Sequence, residues 1–225
     1  MTTRVSNATL EFLKQLHLNN HKDWMQEHKK QYLASETSLK ELYAEILNGL
    51  SVTDEIEKQK IFRINRDIRF SKNKTPYNSH RSVSWSRAGA NRRGGYYLRI
   101  EPGKCSIAGG FFSPEPKDLL RIRKEFEMDS DEIRGILNMK DFKKFFGNFN
   151  QDYAVKTAPK GFSKEDPNID LIRLKSFFLV HNFTDKEVMA SNFSAKVIKG
   201  FELLRPYFDY MSDVLTTDLN GESII

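Results

Sequence analysis

The sequence has little of the material from which several common kinds of site are built. Its single cysteine, Cys105, excludes an internal disulfide and fits a reducing compartment. It contains no apolar run near the roughly 18 residues that a membrane-spanning helix needs. The polar start, Met1 to Asn7, lacks the apolar centre of a secretory signal. These absences predict a cytoplasmic protein that makes no contact with a membrane.

Motifs for metal ions and nucleotide cofactors are missing as well. The five histidines do not have the spacing of a metal site, and zinc would have no cysteine pair to bind. No phosphate-binding loop or dinucleotide glycine fingerprint is present, and Gly109-Gly110 ahead of a helix start is only a weak phosphate signal. We therefore expect neither a metal nor a cofactor.

Positive charge is present and concentrated in one segment. The chain of 225 residues carries a formal net charge of +6. Between Lys58 and Arg99, twelve basic residues stand against one acid, Asp67, so this segment is +11 and the remainder is −5. Such a concentration attracts anions, although a run of charge can also serve only as a solvated surface.

The hydrophobic pattern predicts helices, then strands, then helices again. Ser6 or Asn7 is the expected N-cap of a first helix, and a second helix should end near Gly49 and Ser51. A helix start is expected at Ser113-Pro114-Glu115, and Pro206 should break the last helix. No linker, repeat or low-complexity tract interrupts the chain, which predicts one domain over residues 1–225.

Strict alternation of apolar and polar residues marks the predicted strands. It is found over residues 82–86, 96–101 and 105–112, with a tight turn at Pro102-Gly103, and residues 174–183 resemble a returning strand. The fold class that follows is α+β, with an antiparallel β-meander sheet packed against N-terminal and C-terminal helices.

One segment, Arg63 to Tyr77, stands out from the rest of the chain. Residues 61–70 are rich in strand formers, and a period of two places Ile64 and Ile68 on one face. Arg66 then falls on that apolar face, where a buried guanidinium needs a carboxylate or several carbonyls as partners. We accordingly predict a strand over residues 61–70 with Arg66 buried and paired.

The pattern Arg-x-x-Arg-Asp-x-Arg-Phe-x-x-Asn-Lys-x-x-Tyr resembles the signature of a bacterial family, domain of unknown function 2461. Every position matches, from Arg63 to Tyr77. Flanking segments from Phe12 to Tyr32 and from Tyr96 to Arg123 resemble the family too, so the similarity covers roughly residues 10 to 126. The resemblance implies a bacterial protein with one domain, and it implies no reaction.

The first functional hypothesis is a site for a phosphorylated or carboxylated small anion. Arginine suits planar recognition of such groups, and acid or base groups beside it would leave an enzyme as open as a binding protein. An equally weighted alternative is a structural network of arginine, aspartate and tyrosine. The predicted ligand-binding residues are Arg63, Arg66, Arg69, Asn73 and Lys74, and the candidate catalytic residues are Asp67 and Tyr77.

The second functional hypothesis is a nucleic-acid-binding module. Between residues 85 and 99, basic side chains alternate with aromatic ones, as on surfaces that stack bases and contact phosphates. The residues predicted for this surface are Arg87, Arg92, Arg93, Arg99 and Tyr97. A pocket around Arg63 and Arg69 would favour the small anion, whereas a flat basic stripe with exposed aromatics would favour nucleic acid.

Overall fold

A computed structural model of the chain describes residues 3–225 and contains ten α-helices and five β-strands within that range. Along the chain, the first four strands follow a helical N-terminal part, and the remaining helices precede and follow a fifth strand. In chain order the elements are α1 (Asn7–Leu18), α2 (Lys22–Glu27), α3 (Lys29–Thr53), β1 (Ile56–Ile61), β2 (Arg81–Arg87), β3 (Gly95–Ile100), β4 (Cys105–Phe111), α4 (Pro116–Met128), α5 (Asp131–Asn138), α6 (Lys140–Phe146), α7 (Ile169–Ile172), β5 (Phe177–Phe183), α8 (Asp185–Val188), α9 (Phe193–Leu203) and α10 (Arg205–Thr216).

The five strands form one antiparallel sheet in the order β1-β2-β3-β4-β5. Each strand therefore pairs with its neighbours in sequence, as in the predicted meander. The turn between β3 and β4 is closed by the Lys104 N–H, which donates to the Glu101 carbonyl at 2.9 Å, and Gly103 in this turn has a φ of +73°. The predicted α+β class and its antiparallel sheet are confirmed.

The contacts of the chain group it into two compact units. The first unit comprises Met1–Trp85, Tyr97–Ile107 and Asn182–Gly200, and the second comprises Ser86–Tyr96, Ala108–His181 and Phe201–Ile225. The single domain expected from the sequence stays a prediction.

The core of the first unit is built from the apolar faces of α1 and α3. Ser6 caps α1 by accepting a hydrogen bond from the Thr9 N–H at 3.1 Å, as predicted. The side chains that pack together are Leu10, Leu13 and Leu16 of α1 with Leu39, Leu42, Tyr43, Ile46 and Leu50 of α3, and all are buried. Tyr43 meets Trp85 of β2 edge to face, with ring centroids 6.3 Å apart. Burial of these faces fixes α3 against the sheet.

Gly49 does not end its helix as predicted. The helix α3 continues to Thr53, and Asp54 is its C-cap. A Cβ atom at Gly49 would lie 2.4 Å from Cδ1 of Ile198, so the glycine permits α3 and α9 to approach closely.

The second unit is centred on an aromatic cluster. Phe126 of α4 and Phe149 meet the ring of Phe177 at centroid distances of 5.7 and 5.9 Å. Tyr207 of α10 packs on Phe149 and donates its hydroxyl hydrogen to the Phe177 carbonyl at 2.5 Å. The break at Pro206 is confirmed, since α9 ends at Leu203 and α10 begins at Arg205. The expected start of α4 is two residues early, because Glu115 is the N-cap and Pro116 the first helical residue.

Candidate functional site

The segment from Arg63 to Tyr77, which we call the basic loop, is not the predicted strand. The strand β1 ends at Ile61, and the chain then forms a closed loop. The Arg66 N–H donates to the Pro76 carbonyl at 2.8 Å, and the Asn78 N–H donates to the Ile64 carbonyl at 2.7 Å. These two hydrogen bonds flank an antiparallel bridge between Asn65 and Tyr77 and join the two ends of the loop.

Arg66 stabilises the inside of the loop and is half-buried, so the prediction of a buried, strand-borne Arg66 is wrong. Its Nη1 donates to the Thr75 carbonyl at 2.9 Å and to the Thr75 hydroxyl, and its Nη2 lies 3.4 Å from the Ser71 hydroxyl. The partners are a carbonyl and two hydroxyls, with no carboxylate. Because the turn carries its own acceptors, a guanidinium can be satisfied there without deep burial.

Three further side chains hold the loop through polar contacts. Asn73 accepts hydrogen bonds from the N–H and the hydroxyl of Thr75 at 2.9 and 2.8 Å. Lys74 donates from Nζ to the Ile68 carbonyl at 2.9 Å. Outside the loop, Asn20 accepts from the Tyr77 N–H at 3.0 Å and donates to the Tyr77 carbonyl at 2.9 Å. The loop is therefore ordered by its own sequence and by the end of α1.

Asp67 and Arg69 form an exposed, two-pronged ion pair. Nε and Nη2 of Arg69 lie 3.0 and 2.7 Å from the two carboxylate oxygens, and the Arg69 N–H donates to Oδ1 at 3.2 Å. Hydrogen bonds from the Arg69 side chain, then from its N–H, hold the pKa of the Asp67 carboxyl below its ordinary value, and the charge of Arg63 adds to this. The Asp67 carboxyl is consequently ionised near neutral pH, and both of its oxygens accept hydrogen bonds from Arg69.

Two cations and one aromatic ring of the basic loop are left to solvent. Within residues 3–225 the charged ends of Arg63 and Lys72 make neither a hydrogen bond nor a salt bridge, and both side chains are exposed. Phe70 is 96% exposed. The hydroxyl of Tyr77 likewise has no hydrogen-bond partner in the described part of the chain. The outer surface of the loop thus carries groups that its own folding does not use.

A family model described as conserved hypothetical protein (DUF2461) matches residues 8–210. The chain belongs to the DUF2461 family. No curated protein and no solved structure matches it. Because the match covers most of the chain, the DUF2461 assignment includes both compact units as well as the basic loop.

The basic loop of this DUF2461 protein contributes no residue to the cleft that contains Ser79. That cleft, about 390 Å³, lies in the first unit, and its lining residues are Leu13, Lys14, His17, Leu18, Ser79, Glu101, Pro102 and Lys104. His17 Nδ1 lies 3.3 Å from the Ser79 hydroxyl, and Lys14 is paired with Glu11 at 3.0 Å. None of the predicted ligand-binding residues belongs to this lining.

The arginines predicted for a nucleic-acid surface over residues 85–99 are engaged inside the protein. The Arg87 side chain is 1% exposed and donates to Asp209 at 2.9 Å, with its guanidinium carbon 5.4 Å from the centre of the Phe208 ring. Arg93 pairs with Asp118. These two guanidinium groups are paired with carboxylates of the same chain, and Arg87 is too deeply buried to contact a phosphate.

The remaining residues of that surface are only half-exposed. Arg99 pairs with Glu101 at 2.5 Å, and Tyr97 meets Phe62 edge to face at 6.1 Å between ring centroids. Arg92 is half-buried as well. The neighbouring Trp85, which the stacking hypothesis also used, is completely buried. The flat stripe of exposed aromatics that would have favoured nucleic acid here is not present among the described residues.

A buried ion pair that the sequence analysis missed lies beside the start of the loop. Arg81 donates from Nε and Nη2 to the two carboxylate oxygens of Glu36 at 2.5 and 2.8 Å, and from Nη1 to the Phe62 carbonyl at 2.7 Å. The Tyr43 hydroxyl is buried and has no hydrogen-bond partner among residues 3–225, and its pKa is raised by burial. The signal was available, since the alternation of β2 places Arg81 on the same face as Val83 and Trp85.

The described residues contain no cluster of metal-ligating side chains, and their one thiol is buried. No group of three or more histidine, cysteine, aspartate or glutamate side chains between residues 3 and 225 is placed to hold a metal ion. Burial raises the pKa of the Cys105 thiol to about 11, so the thiol stays protonated near neutral pH. In the same range, no helix is both long and apolar enough to cross a membrane.

His80 should make stability depend on pH. Nη2 of Arg99 lies 3.3 Å from Nδ1 of His80, which must accept the hydrogen bond because a guanidinium only donates. Burial, then the charge of Arg99, lowers the pKa of His80 below 6.5, with a smaller contribution from Arg81, and Glu101 opposes the shift. The unfolded chain therefore binds a proton at higher pH than the folded chain does. Stability is full above pH 6.5 and falls as pH drops toward the lowered pKa.

The measurement is urea unfolding of the wild type and of His80→Asn at several values from about pH 8 to about pH 5. We expect the wild type to lose stability as pH falls below the ordinary histidine value. His80→Asn should lose less over the same range, since asparagine does not titrate. Parallel curves for the two proteins would show that His80 is not the group responsible.

Proposed function

We propose that this protein binds phosphate-bearing anions on the outer surface of the basic loop. The proposal rests on one observation: some polar side chains of the loop hold its shape, and others do not. Arg66, Asn73 and Lys74 hold its shape through internal hydrogen bonds, whereas Arg63 and Lys72 are exposed and make no ion pair in residues 3–225. Cations that are not needed for folding are available for a ligand.

The charge of the loop supports an anionic ligand. Between residues 63 and 77, five basic side chains stand against the single carboxylate of Asp67. Because that carboxylate is paired with Arg69, four of the five positive charges remain in the loop. The resulting positive field attracts anions and strengthens as the ionic strength is lowered.

The exposure of the cations favours a ligand with more than one negative group. The cations lie on an exposed loop, where a single ion pair contributes only about 0.2–1 kcal/mol. An anion with several phosphates can contact Arg63 and Lys72 together and add these contributions. Arg69 can contribute a third contact only by sharing or leaving Asp67. The catalytic roles of Asp67 and Tyr77 stay predictions, and the proposal requires binding alone.

The proposal is tested by calorimetric titration with inorganic triphosphate at low ionic strength, on the order of 10 mM. The variant Arg63→Gln/Lys72→Gln should bind about 2- to 30-fold more weakly than the wild type, because two exposed contacts are lost. The matched control is Lys156→Gln/Lys160→Gln, which removes two exposed positive charges far along the chain from the loop.

The control separates a local site from general attraction to a basic protein. We expect the Lys156→Gln/Lys160→Gln variant to keep nearly the wild-type affinity. Equal losses in both double variants would mean that net charge alone attracts the ligand. Absence of any triphosphate binding to the wild type would overturn the proposed function.

A further inference from the structure

The aromatic ring of Phe70 has no role in the packing of the basic loop. A single exposed apolar side chain is ordinary on a protein surface. Phe70 differs from that ordinary case in its setting, because the residues on both sides of it are held in place. Arg69 donates hydrogen bonds to Asp67 from its side chain and its N–H. The Ser71 N–H donates to the Ile68 carbonyl at 3.4 Å.

The loop therefore presents the Phe70 ring on an ordered backbone. Lys74 adds to this order by donating to the carbonyls of Ile68 and Arg69 at 2.9 and 3.5 Å. Little backbone freedom needs to be lost when a ligand contacts the ring, which favours binding. The guanidinium carbon of Arg69 lies 5.9 Å from the ring centre, so a planar cation already lies next to the ring.

Exposed cations lie near Phe70 in sequence on both sides. Arg63 precedes it in the loop and Lys72 follows two residues later. Two more exposed lysines, Lys58 and Lys60, belong to β1, the edge strand that leads into the loop. An exposed ring with exposed cations near it in sequence is the combination that binds single strands with little sequence preference, since bases stack on the ring and phosphates contact the cations.

We propose that the ligand of the basic loop is single-stranded nucleic acid, with a base stacked on Phe70 and adjacent phosphates bound by Arg63 and Lys72. This inference rests on the proposed function and names its ligand class. It moves the nucleic-acid hypothesis from residues 85–99, where Arg87 and Arg93 are internally paired, to the loop, where the required groups are exposed.

A single strand fits better than a duplex. In a duplex each base is covered on both faces by its neighbours, and taking it out of the stack requires unpairing and unstacking it. One exposed ring offers too little to offset that cost. In a single strand the bases are accessible without unpairing.

An anionic membrane surface fits less well. The neighbours of Phe70 in sequence are Arg69, Ser71 and Lys72, so only one apolar side chain could enter the lipid. Burial of one phenylalanine is a weak membrane signal, and stable anchoring takes more than one such signal. Stacking of a base needs only one ring.

The test is fluorescence anisotropy with a labelled strand of about fifteen thymidines at low salt, within the range of known single-strand site sizes. Phe70→Ala should weaken binding roughly 5- to 100-fold, the range measured when a stacking side chain is removed. Phe70→Trp keeps an aromatic ring and should bind the strand about as tightly as the wild type. The fluorescence of the added tryptophan should be quenched by the strand. Phe112→Ala, which removes another exposed phenylalanine, should bind like the wild type.

Each outcome separates this inference from the proposed function. If Phe70→Ala binds the strand as the wild type does while Arg63→Gln/Lys72→Gln binds more weakly, the loop attracts anions without stacking, and only the inference fails. If triphosphate binds and the strand does not, again only the inference fails. Binding to phosphatidylserine vesicles but not to the strand would assign the loop to membranes. If neither triphosphate nor the strand binds, both proposals fail. The Phe70 variants should fold normally, because the side chain is almost fully exposed.

Discussion

Replacing Arg81 with alanine is expected to lower the free energy of unfolding by about 3–5 kcal/mol. The Arg81 side chain is 4% exposed and makes two charge-assisted hydrogen bonds to Glu36. Without the guanidinium, the Glu36 carboxylate would stay largely buried with no countercharge. The carbonyl of Phe62 would lose its hydrogen bond as well. The large effect comes mainly from the partner left behind rather than from the strength of the pair.

Urea unfolding of Arg81→Ala and Arg69→Ala provides a matched comparison. Arg69 makes the same two-pronged contact with Asp67, but its side chain is 77% exposed. Its loss should lower stability far less than the loss of Arg81 does, since water and salt screen an exposed pair. Similar losses for the two variants would contradict the role assigned to burial.

A third variant tests the mechanism of the loss. In Arg81→Leu/Glu36→Leu, no charge is left buried without a partner, so part of the stability lost in Arg81→Ala should return. If the double variant is less stable than Arg81→Ala, the pair itself, and not the uncompensated carboxylate, carries the stability. The same comparison bears on the basic loop, because Arg81 bonds to the backbone of Phe62 immediately before it.

The regular part of the sheet could be predicted because its strands bury one face. The alternation that predicts β2, β3 and β4 reflects burial of Val83, Trp85, Leu98 and Ile107. The strand β1 was not predicted, because four of its six residues are polar or charged and their side chains face solvent at the edge of the sheet. Edge strands often carry charge, and this hides the hydrophobic pattern on which the prediction depends.

The basic loop could be located from sequence but its geometry could not. Ile64, Ile68 and Phe70 have the spacing of a strand face, yet only Ile64 is buried. The loop is determined instead by side chains that bond across it, such as Arg66 to Thr75 and Asn20 to Tyr77. Periodicity carries no information about such contacts, because each depends on a turn that brings distant residues together.

The distribution of charge along the sequence also does not show which cations have an ion-pair partner in the folded chain. Arg87 and Arg93 lie in the most basic part of the chain, and their carboxylate partners, Asp209 and Asp118, are 122 and 25 residues away. Arg63 and Lys72, in the same basic segment, have no such partner in the part of the chain that the structure describes. Only folding distinguishes the two groups, and the choice between the nucleic-acid surface at 85–99 and the basic loop depends on that distinction.

Gly110→Ala is expected to destabilise the protein by about 3 kcal/mol or more. The backbone of Gly110 in β4 has a φ of +131°, which side chains rarely tolerate. An added Cβ would also lie 2.4 Å from the carbonyl oxygen of Phe177 and 2.6 Å from Cα of Phe178, both in the neighbouring strand β5. Backbone strain of about 1–3 kcal/mol and overpacking of a similar size act together here.

Gly103→Ala is the matched control for the Gly110 prediction, because it isolates the contribution of backbone strain. Gly103 also has a positive φ, +73°, but no atom lies within 4 Å of the position where its Cβ would be. Its substitution should cost only about 1–2 kcal/mol. Urea unfolding of both variants therefore measures the contact between β4 and β5 as the difference between them, and equal midpoints would show that β5 moves aside. The expected difference would give Gly110 a structural role in strand pairing. The weak phosphate signal of Gly109-Gly110 finds no support, because both glycines lie within β4 and α4 begins only at Pro116.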